Sequence, residues 1–256
     1  MRGFRLLRGK MKTIYVDEVG YSSIAGPLIT CATAIGPNEQ KIDGIKDSKQ
    51  ISKKKREALY PLLKETYKHA FGSVSPERIQ EVNIHWARYE AMKMAVEKLL
   101  MDGVVANKVI VDGKFEIPNL NMPQEAVIKA DSLFWEVGAA SILAKVKRDN
   151  MMAEFTKSEQ YSHYDWEQNA GYFSPKHRTG IILHGPSDLH RRNYKYFKYC
   201  LYCRNKYLEF LREGKTAESY FQYEEEQQEK NGESFYKLWK NGTEDIWKEI
   251  KYGEKQ

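Results

Sequence analysis

Thr13 to Pro27, TIYVDEVGYSSIAGP, is the stretch on which the fold turns. Ile14-Tyr15-Val16 is a short run of strand formers. Asp17 and Glu18 follow side by side, and Gly20, Ser22, Ser23 and Gly26 then let the backbone turn and come close to a ligand. Neighbouring strand residues point to opposite faces, so one of two adjacent acids would face the core unless the strand ends there. A buried strand that ends in acids and opens into a Gly/Ser loop is a good holder for a divalent cation. A strand edge with two solvated acids before a turn would read the same way over these residues alone.

Working outward, Leu28 to Ile35 is a second strand closed by Gly36-Pro37-Asn38, which makes a hairpin with the first. Ser52 caps a helix from Lys53 to about Thr66, and its basic start, Lys53 to Arg56, reads as a solvated face. Tyr67 to Val74 is a third strand, Ser75-Pro76 opens helical structure, and Trp86 to Leu100 carries Ala87, Met92, Ala95, Val96 and Leu99 at helical spacing. The opening pattern then returns twice. Lys108 to Val111 runs into Asp112 and Gly113, and Val127 to Ala130 runs into Asp131. If these strands are neighbours in one sheet, Asp17, Glu18, Asp112 and Asp131 converge, and carboxylates that close need bound cations to stay ionised. Glu136 to Met152 reads as a helix lined with Gly138, Ala139, Ala140 and Ser141, able to pack tightly on a sheet. Ser141 and Lys145 share one face of it, so Lys145 either reaches the acidic cluster or stays a surface lysine.

With 256 residues, 41% hydrophobic and 30% charged, the chain has the make-up of a soluble globular protein. No apolar run approaches the ~20 residues of a membrane span, and the basic start MRGFRLLRGK has no signal-peptide core. Residues 1–12 therefore read as a basic arm, with Met1 and Met11 both possible starts, and the location as cytoplasmic. The formal charge of +6 is uneven: residues 201–256 hold 10 Lys+Arg and 12 Asp+Glu, which leaves +8 on the first 200. A basic body suits a polyanion. Cys31, Cys200 and Cys203 give no disulfide framework, and the Cys200/Cys203 pair lacks a second pair for zinc, so all three read as ordinary thiols. From Tyr161 to Tyr199, aromatics interleave with Lys and Arg among loop signals, a pattern suited to stacking on bases or sugars. Residues 204–256 change character: a solvated acidic run, Glu224 to Lys230, precedes two short amphipathic segments, 235–239 and 246–250, which dock on the body or on an unidentified protein partner.

Taken together, these motifs resemble the ribonuclease HII family, over roughly residues 13–197 and in family order. The matching pieces are Asp17-Glu18-Val19-Gly20, Ala25-Gly26-Pro27, Asp47-Ser48-Lys49, Asn83-Ile84, Val111-Asp112-Gly113, Lys129-Ala130-Asp131, Ala140-Ser141-Ile142, Ala144-Lys145-Val146, Arg148-Asp149, Gly171-Tyr172 and His190-Arg191-Arg192. The resemblance implies an α/β ribonuclease H-like fold, a mixed sheet flanked by helices with a C-terminal helical part, and a catalytic domain at 13–203; residues 204–256 have no counterpart in it and read as a charged, aromatic-containing helical extension. It implies an endonuclease, acting as a monomer in primer or ribonucleotide removal, that cuts the RNA strand of RNA/DNA hybrids or a duplex 5′ of an embedded ribonucleotide. It implies that Asp17, Glu18, Asp112 and Asp131 hold two Mg²⁺ or Mn²⁺ ions and that the products carry 5′-phosphate and 3′-hydroxyl ends. Lys49 and Lys145 fall on phosphate-contacting positions and Tyr172 on the ribose-contacting one. Ser141, Arg191 and Arg192 complete the nucleic-acid-facing set with Gly20, Tyr21 and Ser22. The last three depart from the family's Gly-Arg-Gly, the loop whose backbone senses the ribose 2′-OH, which predicts weaker incision at a single embedded ribonucleotide. Two other readings compete: a module that grips hybrids without cutting, and a structure-specific DNA nuclease on the same fold.

Overall fold

A computed structural model describes residues 11–46 and 48–231. Its centre is a five-stranded mixed sheet in the order β3-β2-β1-β4-β5, formed by β1 Lys12–Val19, β2 Leu28–Ile35, β3 Lys68–Val74, β4 Ala106–Asp112 and β5 Gln124–Val127. β1, β2 and β3 are antiparallel neighbours, whereas β4 and β5 run parallel to β1. β2 is buried along its whole length, and its unbroken apolar and Thr composition suits a strand covered on both faces.

One face of the sheet is covered by α1 Lys53–Thr66 and α4 Trp135–Phe155, the other by α2 Pro76–Met101. α3 Ala130–Leu133, α5 Trp166–Asn169, α6 Pro175–His184, α7 Lys195–Arg212 and α8 Ala217–Asn231 complete the described chain. The small residues of α4, Gly138 to Ala140, are buried against the sheet side, as their size allows. α2 is broken at Asn83, whose φ of 65° interrupts the helix. The Asn83 side-chain oxygen then accepts the backbone N–H groups of His85 (2.9 Å) and Trp86 (3.3 Å) and so restarts it. Among the described residues, no helix is long and apolar enough to cross a membrane.

α2 lies so close on β3 that a Cβ added at Gly72 would overlap the carbonyl oxygen of Ala91. Gly72→Ala is therefore expected to cost about 3 kcal/mol through overpacking, seen as a lower urea midpoint at unchanged m-value.

Several sequence expectations change here. Val127 to Asp131 is not a strand running into an acid: β5 ends at Val127, Lys129 turns left-handed at φ 57°, and Asp131 sits in α3. The Tyr161–Tyr199 stretch is largely helical, and Tyr164, Trp166, His177, His190 and Phe197 are buried in a core of their own. They pack on one another and are not a stacking platform for bases. The acidic run from Glu224 is not wholly solvated, since Glu224 is buried against Arg178 and Tyr220. The change of character at 204 falls inside α7. Segments 235–239 and 246–250, like Asp47 and residues 1–10, lie outside the described residues. All three cysteines are buried free thiols.

Candidate active site

β4 keeps register with β1 only as far as Val16↔Val111, whereas β2 continues to pair with β1 through Val19↔Ile29. Asp17 and Glu18 therefore lie beyond the end of one neighbour while still held by the other. This opens one side of the strand and explains how two adjacent acids of β1 can both border a cavity. The cavity, about 440 Å³, is lined by Asp17, Glu18, Gly20, Lys49, Asp112 and Tyr172 among others. Asp17 is buried, and its Oδ1 accepts the Glu18 N–H at 2.8 Å. Asp112, the last residue of β4, accepts the Ala130 N–H at 2.7 Å. The left-handed Lys129 aims that N–H at Asp112 and places the buried Asp131 next in sequence, within electrostatic reach of Asp112 and Asp17.

Burial first, then the neighbouring Glu18 and Asp112, pushes Asp17 well above the usual carboxylate range, while the Ser141 hydroxyl pulls the other way. Burial pushes Glu18 up to about 7, Arg88 opposing and Asp112 adding to the rise. Asp112 is raised by burial and by Asp131, against the Ala130 hydrogen bond. The Glu18 Oε2 atom is buried without a hydrogen-bond partner. Among the described residues, no three His, Cys, Asp or Glu side chains stand as a preformed metal cage. Even so, the donors are all hard carboxylate oxygens, one of them an orphan, and burial followed by the neighbouring acids raises three of the carboxyls. That set fits Mg²⁺ or Mn²⁺ and not a soft thiophilic metal.

The remaining expected residues divide in two. Lys49 extends into solvent with Nζ 4.0 Å from Asp131 Oδ2. Lys145 pairs with Asp149 at 2.7 Å, and its Nζ lies 5.5 Å from the Tyr172 ring centre, at the cavity wall. Ser141 is buried, and its hydroxyl lies in hydrogen-bond contact with that of Ser48 at 2.8 Å, which fixes the turn carrying Lys49. Tyr21 and Ser22 line the cavity, and Ser22 has no left-handed backbone to strain it. Arg192 is exposed. Arg191 is not available to nucleic acid: it is fully buried and donates to the carbonyls of Gly26 (2.9 Å) and Gly20 (2.6 Å).

Arg148 does the same from α4. It donates to the carbonyls of Pro27 (2.9 Å), Ala25 (2.9 Å) and Ala170 (2.6 Å). Between them the two guanidinium groups fix the Gly20–Pro27 loop from behind. Gly20 is needed there, since its φ is 88° and any Cβ would overlap Arg148 Nε. Two further residues escape a reading of the sequence. Arg88 of α2 sits 3.6 Å from Glu18 Oε1. Arg56, read as part of a solvated face, lines the cavity and donates to the carbonyls of Ser48 (2.7 Å) and Ile51 (2.6 Å).

A mixed sheet between flanking helices, with acids past the ends of its two central strands, has the architecture of the ribonuclease H-like fold. The chain belongs to the ribonuclease HII family, whose family model matches residues 14–197. Ribonuclease HII of Borrelia hermsii is 42% identical over 182 residues, covering 71% of this chain and 97% of that protein. The Anaplasma phagocytophilum enzyme is 41% identical over 187 residues, covering 73% and 87%. Among solved structures, ribonuclease HII of Archaeoglobus fulgidus, in its complex with PCNA, superposes with a TM-score of 0.61 at 24% identity over 72% of this chain and 96% of that one. Bst-RNase HIII in complex with Mn²⁺ gives 0.62 at 19% identity over 77% and 71%. These structural likenesses establish the ribonuclease H-like fold, and the sequence relatives establish the activity: the chain is an endoribonuclease of RNA/DNA hybrids.

Proposed function

We propose that Asp17, Glu18, Asp112 and Asp131 hold two divalent cations, Mg²⁺ or Mn²⁺, and that cleavage leaves 5′-phosphate and 3′-hydroxyl ends. The observation that carries this reading is the meeting of Asp17, Glu18 and Asp112 around one cavity, with the buried Asp131 beside Asp112 and a Glu18 oxygen that has no hydrogen-bond partner. When bound, the cations supply an activated water and stabilise charge on the leaving 3′ oxygen. The chain's own residues do the rest. Burial of Asp17 and Asp131 keeps water from screening the site. The Ala130 and Glu18 N–H groups orient two of the carboxylates. Lys49 and Lys145, at the cavity wall, take the flanking phosphates, and the Tyr172 ring packs on the ribose beside the cut. The enzyme acts as a monomer, with its catalytic unit at residues 13–203, in primer and ribonucleotide removal during replication and repair.

Gly20-Tyr21-Ser22 reads the ribose 2′-OH through its backbone, without the phosphate contact an arginine would add at position 21. A charge-assisted hydrogen bond contributes about 1.5 kcal/mol, or about tenfold in rate. Two labelled substrates test this with Mg²⁺ and with Mn²⁺: a continuous hybrid and a DNA duplex carrying one ribonucleotide. The hybrid should be cut at least about tenfold faster, since a hybrid offers neighbouring 2′-OH groups that a lone ribonucleotide lacks. Comparable kcat/KM on the two would show that Tyr21 serves the loop as well as arginine.

A further inference from the structure

Tyr172 presents its ring to the active-site cavity, and its carbonyl oxygen lies 2.9 Å from His177 Nδ1. His177 Nε2 is 3.0 Å from the Trp166 indole N–H and 3.1 Å from His190 Nε2. His190 Nδ1 receives the Ser187 backbone N–H at 2.9 Å. These contacts admit one arrangement of protons. A backbone N–H can only donate, so His190 Nδ1 is an acceptor, and its proton must sit on Nε2. The indole N–H also only donates, so His177 Nε2 is an acceptor, and it takes the His190 proton as well. The His177 proton is then on Nδ1 and is given to the Tyr172 carbonyl. Both rings are buried and neutral, with His177 pushed down to about 4 by burial and His190 to about 2 by burial and by His177.

The same pair is tied to the loop behind the acids. His190 forms a β-bridge with Ala25, the Arg191 N–H donates to the Ile24 carbonyl at 2.8 Å, and the Ile24 N–H donates to the Gly171 carbonyl at 2.9 Å. The strand-end loop and the Gly171-Tyr172 segment are thus held in one frame whose innermost members are two imidazoles.

We infer that His177 and His190 are positioning residues for the cleavage reaction, fixing Tyr172 against the loop that carries the 2′-OH-sensing backbone. The inference rests on the reading of Tyr172 as the ribose contact. It acts through geometry: a reacting group misplaced by about 1 Å loses about a hundredfold in rate, and a smaller slip loses proportionately less.

Two substitutions separate positioning from mere packing. An asparagine amide reaches the place of an imidazole Nδ1, so His177→Asn keeps a donor for the Tyr172 carbonyl. A glutamine amide reaches the place of Nε2, so His177→Gln keeps the acceptor for Trp166 and His190 but drops Tyr172. With the full chain and a hybrid substrate, His177→Gln is expected to lower kcat about tenfold with KM little changed, and His177→Asn to stay within about threefold of wild type. In a Tyr172→Ala background, His177→Gln should lower kcat no further, the mark of two residues acting as one unit. Equal losses in both His177 variants that follow their melting temperatures, or effects that multiply in the double variant, would overturn the inference. Wild-type cleavage by Tyr172→Ala would instead remove the ribose contact itself, and the positioning role with it. Should His177→Gln not fold, His190→Asn keeps the acceptor for Ser187, removes the proton given to His177, and enters the same cycle.

Discussion

Asp17→Asn is expected to lower hybrid cleavage by at least about a thousandfold, since losing one carboxylate of a metal-holding site removes several kcal/mol of transition-state stabilisation. The same substitution is expected to make the metal-free protein more stable. Asp17 is buried, and its carboxylate is pressed by Glu18, Asp112 and Asp131. Asparagine keeps the side-chain oxygen that accepts the Glu18 N–H, and it sheds the charge that burial and neighbours oppose. Each kcal/mol so recovered raises the melting temperature by about 2–4 °C in a chain of this size. Added Mg²⁺ or Mn²⁺ should stabilise the wild type more than the variant, because only the wild type has the full donor set. Thermal melts with and without the cation, run beside the cleavage assay, check both halves. A metal-free variant that melts lower than wild type would show that the carboxylates are not in conflict in the folded state.

Arg148→Met is expected to cost at least about 4 kcal/mol, because three buried carbonyls lose a charged donor together and each such bond contributes about 1.5–3 kcal/mol. Methionine fills most of the volume of the stem but donates nothing, so Ala25, Pro27 and Ala170 are left with unpaired oxygens. The loop behind Asp17 and Glu18 then loses one of its two guanidinium anchors. Cleavage should fall steeply even at temperatures where the variant remains folded. Arg148→Lys should rescue little: a single ammonium cannot reproduce a planar fork that reaches three acceptors. Urea unfolding gives the stability, and kcat measured well below the midpoint gives the loop effect. A near-native Arg148→Lys would show that charge alone, and not the fork, holds the loop.

The legible parts of the chain were those whose chemistry is local. Strand formers running into Asp17-Glu18 and into Asp112 announced both the central strands and the acids at their ends, because a buried strand rarely tolerates an acid except where a neighbour stops. Asp131 was legible as an acid of the set but not as to its setting, which depends on the left-handed turn at Lys129, a conformation that a lysine does not advertise. Arg88 reads like any charged helix residue until the break at Asn83 is known. Arg191 beside Arg192 looks like part of a basic patch, yet the first is entombed and the second exposed. What buries Arg191 is carbonyls about 170 residues earlier in the chain, which no local pattern can announce. Within the aromatic segment from Tyr161 onward, Tyr161, Tyr164 and Trp166 stack on each other, whereas Tyr172 lines the cavity, a division no local pattern announces.

The carbonyls held by Arg148 and Arg191 also bear on when, during synthesis, this enzyme can first work. The acids of β1 are made within the first twenty residues, but the guanidinium groups that fix their loop lie 121 to 171 positions downstream. Contacts of such long sequence separation form late, after the chain entropy of closing large loops has been overcome. β1 must likewise wait for β4 before its second neighbour exists. A nascent chain released before Arg191 would carry all four acids but lack one of the two guanidinium groups that hold their loop. The completed geometry of the strand-end loop thus depends on contacts that span most of the family-matched region, residues 14–197.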